Sequence, residues 1–354
     1  MQTNIPFSRQ QRITNTLLLN ASFIDNLGLM HGKMGIVIYF FHLASETKSQ
    51  MYEDYAEELI DEIYEEISIH TLCDFENGLA GIGWGIEYLV KKGFIDADTN
   101  VVLEEIDKQI NHEITYHAPF DIGVLNGISG YILYFISRLS YNEAGTVQFE
   151  SIRKTLIDLL DMLKQRINTQ NITVNGDVLW NEPEQFDLTW DYPAVIWVLV
   201  ELIEVGLCVA ESELIISQLI SPMLKEINLP KLQSHRLLIA LALEKIKQVK
   251  PEIIPMFNAE KILVGIERDV IAKELADKSA FLRNGTMGIA IVFNILYKLT
   301  NNPSLKEETE YWKKMGLEIP ESDQGYAGFF VDRGHEKMIF GVLNGLLGLS
   351  LFSR

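Results

Sequence analysis

Cysteine is nearly missing from this 354-residue chain, which holds only Cys73 and Cys208. No CxxC or other metal-type pair can be built from two residues so far apart. A disulfide framework is excluded, and reduced thiols in a cytoplasmic protein are the reading that remains. Basic residues are also scarce: 30 Lys and Arg stand against 49 Asp and Glu, a formal charge of −19. That balance argues against nucleic acid as a partner, since phosphate binding needs clustered cations, and against docking on anionic membranes. Long apolar runs are lacking too. The most apolar inner stretch, 193–210, is broken by Glu201 and Glu204 and falls short of a membrane span. The N-terminus has no basic region followed by an apolar core and a cleavage site. Strand signals are nearly absent, the best being a small hairpin on Asn175-Gly176 within 171–180. No Walker, Rossmann or nucleophile-elbow pattern occurs, and His112 and His117 stand one residue too far apart for HExxH.

Glycine, by contrast, is abundant and ordered. It recurs in a short phrase: HGKMG at 31–35, NGLAG at 77–81, NGISG at 126–130, NGTMG at 284–288 and NGLLG at 344–348. Each phrase opens an apolar run. The spacing from His31 to Asn77 is 46 and from Asn77 to Asn126 is 49, whereas Asn126 to Asn284 is 158, room for two further copies. Weaker candidates lie in that gap, WDYPAVIWVLVELIEVG from Trp190 and SHRLLIALALEKI from Ser234. Seven units of about 51 residues account for the chain. Between the phrases lie amphipathic stretches at 51–69, 101–114, 151–167, 211–227 and 259–276. The first sets Ala56, Leu59, Ile63 and Ile67 near one face with eight acidic residues elsewhere, which is helical spacing. The unit is an outer polar helix followed by an inner apolar one. Asn77 serves as an N-cap, and each glycine costs a helix roughly 1 kcal/mol against alanine. Close approach of inner helices around a crowded axis supplies the return, so a closed all-α, α/α toroid is favoured over an open array. One domain, 1–354, is expected.

With these phrases the chain resembles the lanthionine synthetase C-like family, the lantibiotic cyclases, from about Met30 to the C-terminus. The resemblance implies an α/α toroid of seven helical hairpins and a place in the maturation or binding of a ribosomally made peptide. It implies as partner a peptide substrate or a peptide-modifying enzyme. In that family a Trp-Cys-Tyr-Gly phrase gives one zinc ligand and a Cys-His-Gly phrase two more. The metal activates a peptide thiol that adds to a dehydrated residue. Here the first phrase reads Trp190-Asp191-Tyr192-Pro193 and the second Ser234-His235-Arg236. Both thiolates, the soft ligands that suit zinc, are gone. The cyclase site reads as degenerate, with no cofactor expected.

The candidate site residues follow from those positions. Asp191 either faces the central mouth as an acid, base or ligand, or caps the helix starting near Pro193. His235 is its possible partner, or a helix-flanking polar residue. A third metal ligand would have to come from His31, Asp121, Asp187, Asp332 or His335. Asp121 and Asp191 could also form the carboxylate pair of a carbohydrate-active toroid hydrolase or lyase. The aromatics Trp84, Tyr116, Phe120, Trp180, Trp190 and Trp197 would stack the sugar or pack the core. Trp190 and Tyr192 are the expected substrate contacts beside Asp191. Asp332 and His335 are further ones, on the glycine-rich loop 321–341.

Overall fold

The computed structural model describes residues 9–117, 119, 121–169, 182–226, 229–254, 260–275 and 280–318. Towards the C-terminus it describes 321–322, 325–326, 330–332, 335–338, 342–343 and 348. Helices dominate. In chain order they are α1 (Arg9–Asn20), α2 (Lys33–Thr47), α3 (Gln50–Glu66), α4 (Leu79–Lys91), α5 (Thr99–Val102), α6 (Glu104–His117), α7 (Ile128–Tyr141) and α8 (Val147–Thr169). There follow α9 (Asp191–Glu204), α10 (Val209–Glu226), α11 (Gln233–Val249), α12 (Glu260–Leu263), α13 (Arg268–Glu274), α14 (Thr286–Thr300) and α15 (Pro303–Leu317). None of the described helices is long and apolar enough to cross a membrane.

The apolar helices α2, α4, α7, α9, α11 and α14 neighbour one another in that order, and the amphipathic ones pack outside them. This is an α/α toroid. The two ends of the ring are built differently. At one end the inner helices lead into the outer helices that follow, most tightly after α2 and α14. The α2–α3 and α14–α15 turns are two residues long, with Lys48 (φ 55°) and Asn301 (φ 54°) in the left-handed conformation that closes a helix C-terminus. At the other end, longer loops lead from outer helices back to inner ones, and they carry the glycine phrases.

Those phrases have one geometry. Gly32, Gly78, Gly127 and Gly285 cap their helices with φ between −117° and −129°, extended backbone that any residue adopts. Space, not φ, selects glycine. The loop curls back so that its carbonyls accept from the first N–H groups of the helix: Leu79 donates to Leu72 (2.8 Å), Ile128 to Asp121 (2.9 Å) and Lys33 to Asn26 (2.8 Å). These bonds satisfy donors that a helix start otherwise leaves open. A Cβ on Gly78 or Gly127 would collide with the Leu72 or Asp121 carbonyl six residues earlier. The second glycine of four of the five phrases is constrained in the same way, Gly81 by Phe75, Gly130 by Val124, Gly288 by Leu282 and Gly348 by Val342. Along α4, Gly83 admits the Tyr134 ring of α7 and Gly85 the Met34 side chain of α2. The close approach of inner helices expected from the sequence is therefore present.

Backbone hydrogen bonds also join the loops to one another, through the residue two before each cap. Met30 N–H donates to Glu76 (2.9 Å), Glu76 to Leu125 (2.8 Å), Leu188 to Arg283 (2.7 Å) and Arg283 to Leu343 (3.0 Å), while Val342 donates to Met30 (2.7 Å). The last bond links the seventh phrase to the first and closes the ring. Among the described residues no backbone bond joins the third loop to the fourth, and the fifth is bypassed.

Three details differ from the sequence reading. Asn77 is not the cap: Gly78 is, and Asn77 accepts from the Asn26 amide instead (2.7 Å). The segment 259–276 is not one helix but α12 and α13, parted by a turn at Gly265 (φ 84°). The loop 321–341 contains two short antiparallel pairs, β1 (Glu321–Ser322) with β2 (Gly325–Tyr326) and β3 (Phe330–Asp332) with β4 (His335–Met338). The hairpin expected at 171–180 lies outside the described residues.

Candidate functional site

The break between the third and fourth loops is where the charged residues gather. Asp191 is the first residue of α9, and its carboxylate lies against Gly123 so closely that a Cβ there would collide with Oδ1. Asp191 is exposed, and it lies against Gly123 of the third loop within reach of the Asp121 and Asp187 charges. Partial loss of hydration pushes its carboxyl above the usual range, and the charges of Asp121 and Asp187 add to that, with Arg283 opposing. Asp187 is gripped from two sides. Its Oδ1 accepts from the Thr189 amide (2.8 Å) and hydroxyl (2.6 Å), and the Arg283 guanidinium reaches Oδ2 through Nε (3.2 Å) and Nη2 (3.1 Å). Across the ring, His31 Nε2 meets Glu76 Oε1 at 2.9 Å, which holds Glu76 below the usual carboxylate range. Arg283 and Asp187 act on Glu76 as well, so these groups share one electrostatic neighbourhood.

His235 lies behind this surface with no exposure. The Asp187 amide donates to Nε2 (3.2 Å), so Nδ1 carries the proton and donates to Glu182 (3.1 Å). Burial pushes its pKa below the ordinary 6.5. Glu182 also accepts from the Lys231 and Leu232 amides (both 2.9 Å), and Glu274 from Gln233 and Ser234 (both 2.8 Å). Two carboxylates thus clasp the N-terminus of α11, where the helix dipole favours negative charge. With both ring nitrogens engaged, His235 positions the loop that bears Asp187.

Trp190 and Tyr192 are 4 % and 1 % exposed. Their rings stack at 5.7 Å, Trp190 lies 4.8 Å from the His235 ring, and the Tyr192 hydroxyl donates to the Leu219 carbonyl (2.7 Å). Both rings, expected as substrate contacts, are packed behind Asp191. Asp332 and His335 are partners across β3 and β4, with side chains outside the described residues, as are Phe120 and Trp180. Glu76, Arg283 and Gly123 were not singled out from the sequence. The signal was available, because Glu76 and Arg283 occupy the same place in their phrases, two before the cap.

Of the residues in the two phrases, Asp191 offers a carboxylate, Ser234 a hydroxyl, and His235 an imidazole committed at both nitrogens. No three His, Cys, Asp or Glu side chains converge as a metal site among the described residues. Cys73 is no substitute: burial pushes its thiol up to about 11, far from reactive.

Residues 24–189 match the model of the family described as lanthionine synthetase C-like protein. Over those residues the chain is lanthionine synthetase C-like. Its fold is that of a solved structure titled nisin cyclase, at a TM-score of 0.65 and 16 % identity over 97 % of this chain and 94 % of that one. No curated protein matches the sequence.

Proposed function

We propose that this lanthionine synthetase C-like protein, a single cytoplasmic toroid over 1–354, binds or helps to mature a ribosomally made peptide at the mouth between its third and fourth loops. The usual zinc-dependent thioether site is degenerate in this reading. The observation that carries it is the placement of Asp191 against Gly123, with Asp121 and the Asp187–Arg283 pair around it. Asp191, with its raised pKa, is the group that exchanges a proton or accepts a hydrogen bond from a peptide N–H. Asp121 is its charged neighbour, Arg283 anchors the wall, and His235 is a positioning residue. Asp332 and His335 are kept in this reading as further substrate contacts.

The test is metal analysis of the purified protein together with a synthetic peptide bearing one cysteine and one dehydroalanine. Substoichiometric zinc and no catalysed loss of thiol are expected. Binding by fluorescence anisotropy should weaken about tenfold in Asp191→Asn, the loss of a charge-assisted hydrogen bond. One tightly bound zinc per chain with catalysed thiol consumption overturns the degenerate site, and unchanged binding in both Asp191→Asn and Asp121→Asn overturns the mouth.

One observation favours a second reading. A carboxyl pushed up beside another carboxylate is the arrangement of an acid and base pair, which a carbohydrate hydrolase or lyase would use. A polysaccharide screen in which wild type turns over substrate and both Asp variants do not would select it.

A further inference from the structure

On the outer wall, at the tight-turn end far from the mouth, a groove of about 920 Å³ runs between the α5–α6 segment and α8, floored by α7. Its lining is acidic: Asp98, Glu104, Asp107 and Glu143 face two cations. Both cations are already committed. Lys108 is bound to Glu104 (2.9 Å) and Glu105 (2.7 Å), and buried Arg138 to Glu87 (2.6 Å) and Asp107 (2.7 Å). The Arg138 guanidinium is further held by Thr99 (3.1 Å) and Asn100 (3.2 Å), so the floor is rigid and presents no free positive charge. The rims are apolar and open to water. Val147 at the start of α8 is 83 % exposed, Val101 on the facing rim 70 %, and Tyr141 between them 41 %. These three side chains give an otherwise polar, acidic cleft an apolar border on both sides.

We infer that this groove docks a cationic, amphipathic polypeptide segment of a partner chain, its apolar side chains between Val101 and Val147 and its Lys or Arg side chains on Glu143 and Asp98. The charge pattern selects that occupant. A polyanion or an anionic lipid surface meets carboxylates with no cation to neutralise it, and a wholly apolar segment would strip water from them without compensation. A helix in a groove between two helices is an established way for such a segment to bind. A chain held here leaves the mouth open, and the inference stands whether or not the mouth takes a peptide.

The experiment uses the purified full chain and a fluorescein-labelled amphipathic Lys/Leu peptide, with anisotropy read at low and at physiological salt. Glu143→Lys should raise Kd about fivefold, the effect of a single rim charge. Val147→Asp separates the groove from the general acidity of the protein, because it adds negative charge while removing the apolar rim. It should raise Kd about threefold or more, as for one lost apolar contact. Glu57→Lys on the exposed face of α3 makes the same charge change elsewhere and should stay within about twofold. All three are surface positions, and unchanged circular dichroism checks the fold. Tighter binding by Val147→Asp, or equal weakening by Glu57→Lys and Glu143→Lys, overturns the inference and leaves attraction by net charge alone.

Discussion

The third and fifth units solve the same problem in opposite ways. Each must satisfy the open N–H groups at the start of an inner helix that points into a crowded ring. In the third, α7 is closed by its own loop: Ile128 and Ser129 donate to the Asp121 and Ile122 carbonyls, and glycine is needed at 127 and 130 to let the loop in. In the fifth, α11 is closed from outside by Glu182 and Glu274, and the place of the second glycine is taken by His235. Carbonyl closure is local, needs glycine and leaves a signature in the sequence. Carboxylate closure is long-range and needs charge, and the glycine phrase vanishes.

The sharpest way to break this comparison is to add a methyl group to the third unit. Gly130→Ala drives a Cβ into the Val124 carbonyl and to 2.7 Å from the Phe75 Cβ, where neither neighbour can yield cheaply. A loss of about 3 kcal/mol in urea unfolding is expected. Next is the fifth unit. Glu274→Ala removes the acceptor of two amides, for about 2 kcal/mol, while Glu274→Gln should recover part of it by keeping one oxygen. An equal loss in both Glu274 variants would show that packing, and not the amide clasp, holds α11.

The same contrast explains what was legible. The inner helices after 32, 78, 127 and 285 could be read because their closure is local and written in glycine. The outer helix at 51–69 was equally plain from its period. The fifth unit was faint because Glu182 and Glu274 lie some 50 and 40 residues from the amides they hold, and no spacing rule connects them. Asp191 and Asp121 could be proposed from their place in the phrases. Glu76 and Arg283 were overlooked because a charged residue before Asn-Gly looks like solvated loop, until the ring of backbone bonds turns it inward. The break of 259–276 into α12 and α13 follows from Gly265, whose positive φ ends a helix that periodicity alone would continue.

Titration of the clasp is a smaller effect with a definite sign. The pKa of His235 is lowered in the folded chain, so the unfolded chain takes up the proton first. Stability is complete above the ordinary 6.5 and declines as pH falls from there towards the lowered folded value. Urea midpoints between pH 7.5 and 5.5 should show this decline, and His235→Gln, though less stable throughout, should lack that part of the slope. An identical slope in both proteins would assign the acid sensitivity to other groups.

The smallest expected effect tests the mouth itself, and its sign is the informative part. Asp191 stands at the first position of α9, where a carboxylate gains from the helix dipole, yet the surroundings push its carboxyl above the usual range. The net environment therefore disfavours its charge. A raised folded pKa gives stability that is present below the ordinary 3.8 and is lost as pH rises through the folded value. At neutral pH the ionised group is consequently a cost. Asp191→Asn should raise Tm at pH 7 by about 1–2 °C, kept small because an exposed carboxylate is screened by water. The gain should fade as the pH approaches 4. Asp187→Asn should do the reverse, since it leaves the Arg283 guanidinium without its carboxylate. If Asp191→Asn lowers Tm at pH 7, the residue is a helix-terminal support like the carboxylates of the fifth unit. If it raises Tm while weakening peptide binding, stability has been given up for a charge that the ligand uses.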